Sequence, residues 1–228
     1  MTRQRLMDWF LYQIAPRENT FWILGLLPTL CCLFGFALEI LPQMTYLIYK
    51  GSMFFLPFLA LRFRKEMRPS WKGLTRGLSH GLILCIVPLL FLSMDGLSLL
   101  NTEAIRGKLI RLGILPHFIL VILFLSFINA FLEEWYFRGL LGNLGPHFKD
   151  GRDKALVLAF LFASHHFIVL ICYFDLFWSG LFTLGTAVAG YAWTRLRQGG
   201  ADIFTLFVSH CLCDLVILGL GGWLLLFG

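Results

Sequence analysis

Phe131-Leu132-Glu133-Glu134-Trp135-Tyr136-Phe137-Arg138-Gly139 closes an apolar run that begins near Phe118 and carries no charge before Glu133. Two carboxylates and a guanidinium entered from hydrocarbon-like sequence are expensive. A charge at the centre of a membrane helix costs between ~3 and more than ~10 kcal/mol, so such residues face the bundle interior and usually mark function. Glu134 and Arg138 are four apart, stack on one helix face and stand in the order that favours an ion pair. Glu133 points about 100° away from that pair and has no local partner, which leaves it free for chemistry. The plainer reading is a helix end whose charges reach for headgroups and water.

Composition sets the class. Hydrophobic residues make up 58% of the 228 and charged ones 14%, and mean hydropathy is +0.78. A soluble domain of this size cannot bury that much apolar surface. The chain reads as one membrane-embedded all-α domain over residues 1–228, a polytopic helix bundle. The net charge of +6 suggests nucleic acid or anionic lipid at first sight, but its placement in loops explains it as topology-setting charge. No nucleic-acid partner is expected; the partners implied are the lipid bilayer and a membrane-tethered protein or peptide. The six cysteines all lie in apolar segments and read as small buried hydrophobes.

About seven spans of roughly 20 residues are expected, at 21–41, 44–61, 77–97, 114–140, 155–172, 177–194 and 203–225. Lys50 interrupts the second. Residues 1–19 mix Leu6, Trp9, Phe10 and Ile14 with Arg3, Arg5 and Arg17, as an interfacial amphipathic helix does. Turns are marked at Leu41-Pro42 and Gly145-Pro146-His147. In this arrangement fourteen of the nineteen Lys and Arg fall in loops on one side, three (Arg106, Lys108, Arg111) on the other, and Lys50 and Arg138 within spans. The positive-inside rule then places the N-terminus in the cytoplasm and the C-terminus outside, in a multi-pass protein of a bacterial-type plasma membrane. At ~1.5 Å per residue, Glu133 and His210 lie roughly 10 Å from the cytoplasmic ends of their spans, and His166 roughly 17 Å. The three fall in one half of the membrane and can share a cavity.

The polar residues of the last three motifs are Glu133-Glu134-x-x-x-Arg138, Phe162-x-x-x-His166 and His210-x-x-x-Asp214, each in a separate hydrophobic segment. This ordered set resembles the CPBP family: type II CAAX prenyl endopeptidases and their bacteriocin-processing relatives, which are membrane-embedded proteases. The resemblance covers about 115–225, the expected catalytic core. It implies Glu133 as general base, His166 as its partner in activating a water, and His210 with Asp214 as the oxyanion-side pair. Glu134 and Arg138 would hold the site together. Asp214 stands where the family often has asparagine, and His165 beside His166 leaves two candidate imidazoles.

Chemistry and alternatives follow from the same residues. A carboxylate in apolar surroundings is a stronger base, and imidazoles can orient a water and hold an oxyanion. His165 and His166 could instead glue helices together, and His210 and Asp214, four apart, could satisfy each other. His166 keeps the four-residue spacing from Phe162, whereas His165 is rotated about 100° from it. Asn129, one turn before Glu133, either lines the same cavity or bridges helices. His80, His117 and His147 lie near segment ends and read as interfacial. Glu133, His166 and His210 would make a two-His, one-carboxylate metal set, although no His-Glu-x-x-His is present. No cofactor is favoured, with zinc the alternative. The expected function is an intramembrane endopeptidase acting on membrane-tethered or C-terminal, CAAX-like peptides. The alternative is a non-catalytic scaffold or immunity protein that keeps the fold. A proton or ion pathway would spread ionisable residues across the full membrane depth, and these crowd into one half.

Overall fold

The computed structural model describes residues 18–60, 67–144, 148 and 150–227. Residues 1–17 of the amphipathic helix expected over 1–19, and the turn at Gly145-Pro146-His147, lie outside the described residues. All regular structure among the described residues is helical. Helix α1 runs Glu18–Cys32 and continues as a π turn, Leu33–Ala37. It is followed by α2 (Pro42–Ala60), α3 (Trp71–Ser93) and a short α4 (Thr102–Arg111). The central helix α5 spans Leu115–Leu141. After it come α6 (Gly151–Leu170), α7 (Leu176–Gln198) and α8 (Ile203–Asp214), the last prolonged by a π segment, Leu215–Gly221.

Short polar residues start these helices by accepting orphan backbone N–H groups. Ser70 Oγ accepts from Gly73 N, Asp150 from Arg152 N, Asp175 from Trp178 N and Asp202 from Thr205 N. The Ser70 cap explains why α3 begins six residues ahead of its expected limit. Helix α4 is the element the sequence does not announce. Asn101 caps it through Ala104 N, it buries only Ile105, and it carries Arg106, Lys108 and Arg111.

Among the described residues, seven long helices stand where seven spans are expected. Five are long and apolar enough to cross a membrane: Asn19–Ala37, Trp71–Ser93, Leu115–Leu141, Gly151–Leu170 and Ile203–Leu224. Helices α2 and α7 are as long but less apolar, α2 because of Lys50 and α7 because of Thr183, Thr186, Tyr191 and Arg195. Length and composition therefore carry five spans. A count of seven, and with it the side on which each terminus lies, stays an expectation. Leu47, Ile83, Val87, Leu120 and Phe160 are largely exposed, as side chains facing lipid must be, and the protein is an integral membrane protein.

Polar residues face inward around α5. Trp135, Tyr136, Phe137, Leu140 and Leu141 share one buried apolar cluster with Phe21, Leu158, Leu161 and Phe162, while α6 pairs with α7 and α3 with α8. The α3–α8 pairing depends on missing side chains. Gly73, Gly77 and Gly81 form one buried stripe on α3. A Cβ on Gly77 would meet Thr205 O at 2.6 Å, and one on Gly81 would meet Ser209 O at 3.0 Å. Backbone therefore lies on backbone, the small-residue mode of packing in membranes. It brings α8, with His210, against the bundle centre.

Candidate active site

Helix α5 is not a plain α-helix where it matters. Residues Phe124–Asn129 and Glu134–Leu141 are π turns, with one α turn, Ala130–Glu133, between them. Inserted π turns commonly coincide with functional sites because they re-aim side chains. Here all of Glu133, Glu134 and Arg138 are buried.

Glu134 and Arg138 make the expected pair, Nη1 donating to Oε1 across 2.9 Å with both side chains fully buried. Arg138 Nη2 also donates to Gly190 O on α7 at 3.0 Å, and its guanidinium lies 4.4 Å from the Phe162 ring centroid. Glu134 does more than balance this charge. The same Oε1 is 2.8 Å from His210 Nδ1, so the ion pair on α5 also aims the imidazole on α8.

That contact adds to the expected His210–Asp214 pairing. His210 Nε2 is 3.7 Å from Asp214 Oδ1, an ion-pair separation longer than a hydrogen bond. The ring is also held by Glu134 and by Trp193, which stacks on it at 4.3 Å and 22°. Trp193 Nε1 donates to Ser209 Oγ at 2.9 Å, and Ser209 Oγ is 3.1 Å from His80 Nδ1. His80 thus belongs to the support of His210 rather than to an interface. Its sequence signal was a serine directly before the motif histidine and a histidine three residues after Gly77.

Glu133 is buried, and all three polar sets meet at its carboxylate. Oε2 lies 3.9 Å from His166 Nε2 and 3.8 Å from His210 Nε2, and it makes no hydrogen bond among the described residues. The His166 tautomer follows from its other nitrogen. Nδ1 is 3.0 Å from Phe162 O, a carbonyl can only accept, and so Nδ1 carries the hydrogen and neutral Nε2 presents a lone pair.

His165 is closer to the carboxylate than its helical phase suggests. Its Nε2 is 3.5 Å from Glu133 Oε1, and its ring stacks on Phe137 at 5.4 Å and 11°. Consecutive residues on α6 both reach Glu133 because its two oxygens are spread across the face of α6, one toward each ring. Asn129 resolves in favour of both alternatives: Nδ2 donates to Glu133 Oε1 at 2.8 Å, and Oδ1 accepts from Lys50 Nζ of α2. Glu133 therefore has a local partner after all, four residues earlier. Tyr49 OH, also on α2, is 3.5 Å from the same Oε1. Helix α2 precedes residues 115–225, so the site draws on more of the chain than the motifs do. Lys50 and Tyr49 were missed because a lysine in an apolar run reads as an interruption.

A metal set is at hand. Glu133, His165 and His166 each offer one ligand atom, all within 4.8 Å of one another, and both His165 ring nitrogens lack a hydrogen bond among the described residues. Two imidazoles and a carboxylate suit zinc. His165 joins Glu133 and His166 in this group, and His210, the imidazole expected there, keeps its Nε2 3.8 Å from Glu133 Oε2 with Nδ1 on Glu134, an orientation that also suits a metal ligand. An apolar groove of about 800 Å³ between α6 and α7 is lined by Ala159, Ala163, Ser164, Gly180 and Val188 and includes none of these residues.

Residues 115–216 match a family model described as type II CAAX prenyl endopeptidase Rce1-like. No curated protein and no solved structure matches the chain.

Proposed function

Because residues 115–216 match the type II CAAX prenyl endopeptidase Rce1-like family model, we propose that the protein is an intramembrane endopeptidase in which Glu133 and His166 activate a water. The membrane peptidase class comes with the family; the division of labour is our reading. The observation that carries it is the triangle of Glu133 Oε2, His166 Nε2 and His210 Nε2. Separations of 3.9 and 3.8 Å are too long for direct hydrogen bonds and suit a water about 2.8 Å from each atom.

In this reading the water donates one hydrogen bond to Glu133 Oε2 and the other to the His166 Nε2 lone pair. Glu133 takes a proton as the water oxygen adds to the scissile carbonyl carbon, and the carbonyl oxygen becomes an oxyanion. His210 faces it with Nε2–H when both ring nitrogens are protonated, a state supported by Glu134 at 2.8 Å, Asp214 at 3.7 Å and the Trp193 face. Such a donor is worth about 10²–10³-fold in rate. The C–N bond then breaks as Glu133 returns its proton to the leaving amine. The substrate is a membrane-tethered or C-terminal, CAAX-like peptide, presented by the bilayer. A second reading is metal-assisted: a zinc ion held by Glu133, His165 and His166 would supply a water of lowered pKa.

Purified protein in lipid discs, offered prenylated and unprenylated C-terminal peptides, tests this. Wild type should cleave, while Glu133→Gln and His166→Ala should lose cleavage by at least about 10²-fold and still insert and fold. Near-normal activity of Glu133→Gln would remove the general-base role, and no cleavage by wild type would leave the scaffold reading. Metal analysis separates the mechanisms. Less than one zinc per chain with activity resistant to a cavity-permeant chelator supports the metal-free route. One zinc per chain, lost and restored together with activity, supports the other.

A further inference from the structure

The Asn129 amide carries an acceptor at one end and a donor at the other, and which end faces Glu133 decides whether it holds the carboxylate or repels it. Nothing in the amide itself makes that choice. Lys50 does. An ammonium group only donates, so the end bonded to Lys50 Nζ is the oxygen, and the NH₂ end is turned onto Glu133 Oε1 at 2.8 Å. The ammonium is fixed in turn by the Tyr49 ring, whose centroid is 3.9 Å from Nζ, and Tyr49 OH reaches the same Glu133 oxygen at 3.5 Å. Helix α2 therefore grips one oxygen of the carboxylate from two adjacent residues. Oε2 is left to face His166 and His210.

We infer that Lys50 is a positioning residue: through the Asn129 amide it orients the Glu133 carboxylate so that Oε2 meets the water and the two imidazoles. The inference deepens the peptidase reading and rests on it for its effect on rate. It also accounts for a charge in α2 that the helix would otherwise carry at a penalty.

Lys50→Met keeps the chain length and removes the donor; Lys50→Arg keeps a cation that can only donate. Lys50→Met should lower kcat about 10–100-fold, the usual loss when an orienting partner is removed, with KM unchanged. Lys50→Arg should recover most of kcat. In an Asn129→Ala background Lys50→Met should add no further loss, because the two act in series. A rise in KM at constant kcat, or a full additional loss in the Asn129→Ala background, would overturn the inference. A turnover-independent reading uses infrared difference spectra between each background and the same background with Glu133→Gln, which isolate the Glu133 carboxylate stretch. That band should shift in Lys50→Met and return in Lys50→Arg, in protein with wild-type thermal stability in detergent. An unmoved band overturns the positioning role even where peptides are cleaved. A moved band with no peptide cleaved by wild type sustains the positioning role and fails the peptidase reading alone.

Discussion

At the scale of single residues, the two adjacent glutamates divide along lines the sequence shows only in part. Glu133 and Glu134 differ by one step of helix, and that step sends one to the imidazole triangle and the other to Arg138. What the spacing could not show is that Glu134 has a second partner on another helix. Its Oε1 sits between Arg138 Nη1 and His210 Nδ1, at 2.9 and 2.8 Å. Glu134→Gln should accordingly fail twice. Leaving Arg138 buried without its partner should cost roughly 3–5 kcal/mol of stability, and a His210 ring released on one side should lose oxyanion stabilisation. Asp214→Asn, whose oxygen is 3.7 Å from the ring, should leave stability unchanged and cost less activity than Glu134→Gln. Paired thermal unfolding and kcat/KM measurements on the two variants check the order. A greater loss at Asp214 would restore it as the partner that aims His210.

The helices show why some residues could be read in advance and others could not. Glu133, His166 and His210 stood out because each interrupts an apolar run, where an ionisable side chain has few innocent explanations. Ser209 and Trp193 interrupt nothing, since serine and tryptophan are ordinary in membrane helices, yet they hold His80 and His210 in place. Lys50 did interrupt a run, but its meaning lies in Asn129, 79 residues later, and no local pattern connects them. The π turns of α5 were equally hidden, because the sequence gives spacing and the structure gives pitch. Helix contact is set by a feature that is legible once its role is known: glycines at 73, 77 and 81. Gly77→Ala should force α8 away from α3, because the new methyl would lie 2.6 Å from Thr205 O. Overpacking of this kind costs about 1–3 kcal/mol and should reduce cleavage by displacing His210. Gly180→Ala, with nothing within 4 Å of its Cβ, should alter neither. Equal behaviour of the two variants would mean that the glycine stripe does not seat α8.

At the scale of the whole molecule, the site is a meeting of four helices, α2, α5, α6 and α8, on one buried carboxylate. The bond from Lys50 to Asn129 has a consequence for how the chain is made. Helix α2 leaves the ribosome long before α5, and at about 5–20 residues per second the 79 residues between them take roughly 4–16 s to synthesise. Throughout that interval the lysine has no amide to donate to, and an unpaired ammonium resists entry into hydrocarbon. Helix α2 should therefore wait at the membrane surface and settle only when Asn129 arrives. Ser52→Cys in a background without the native cysteines reports this. Nascent chains halted before Asn129 should be labelled by a water-soluble maleimide, and chains released after α5 should be protected. The lysine that orients the carboxylate in the finished protein would then also set the order in which its helices are laid down.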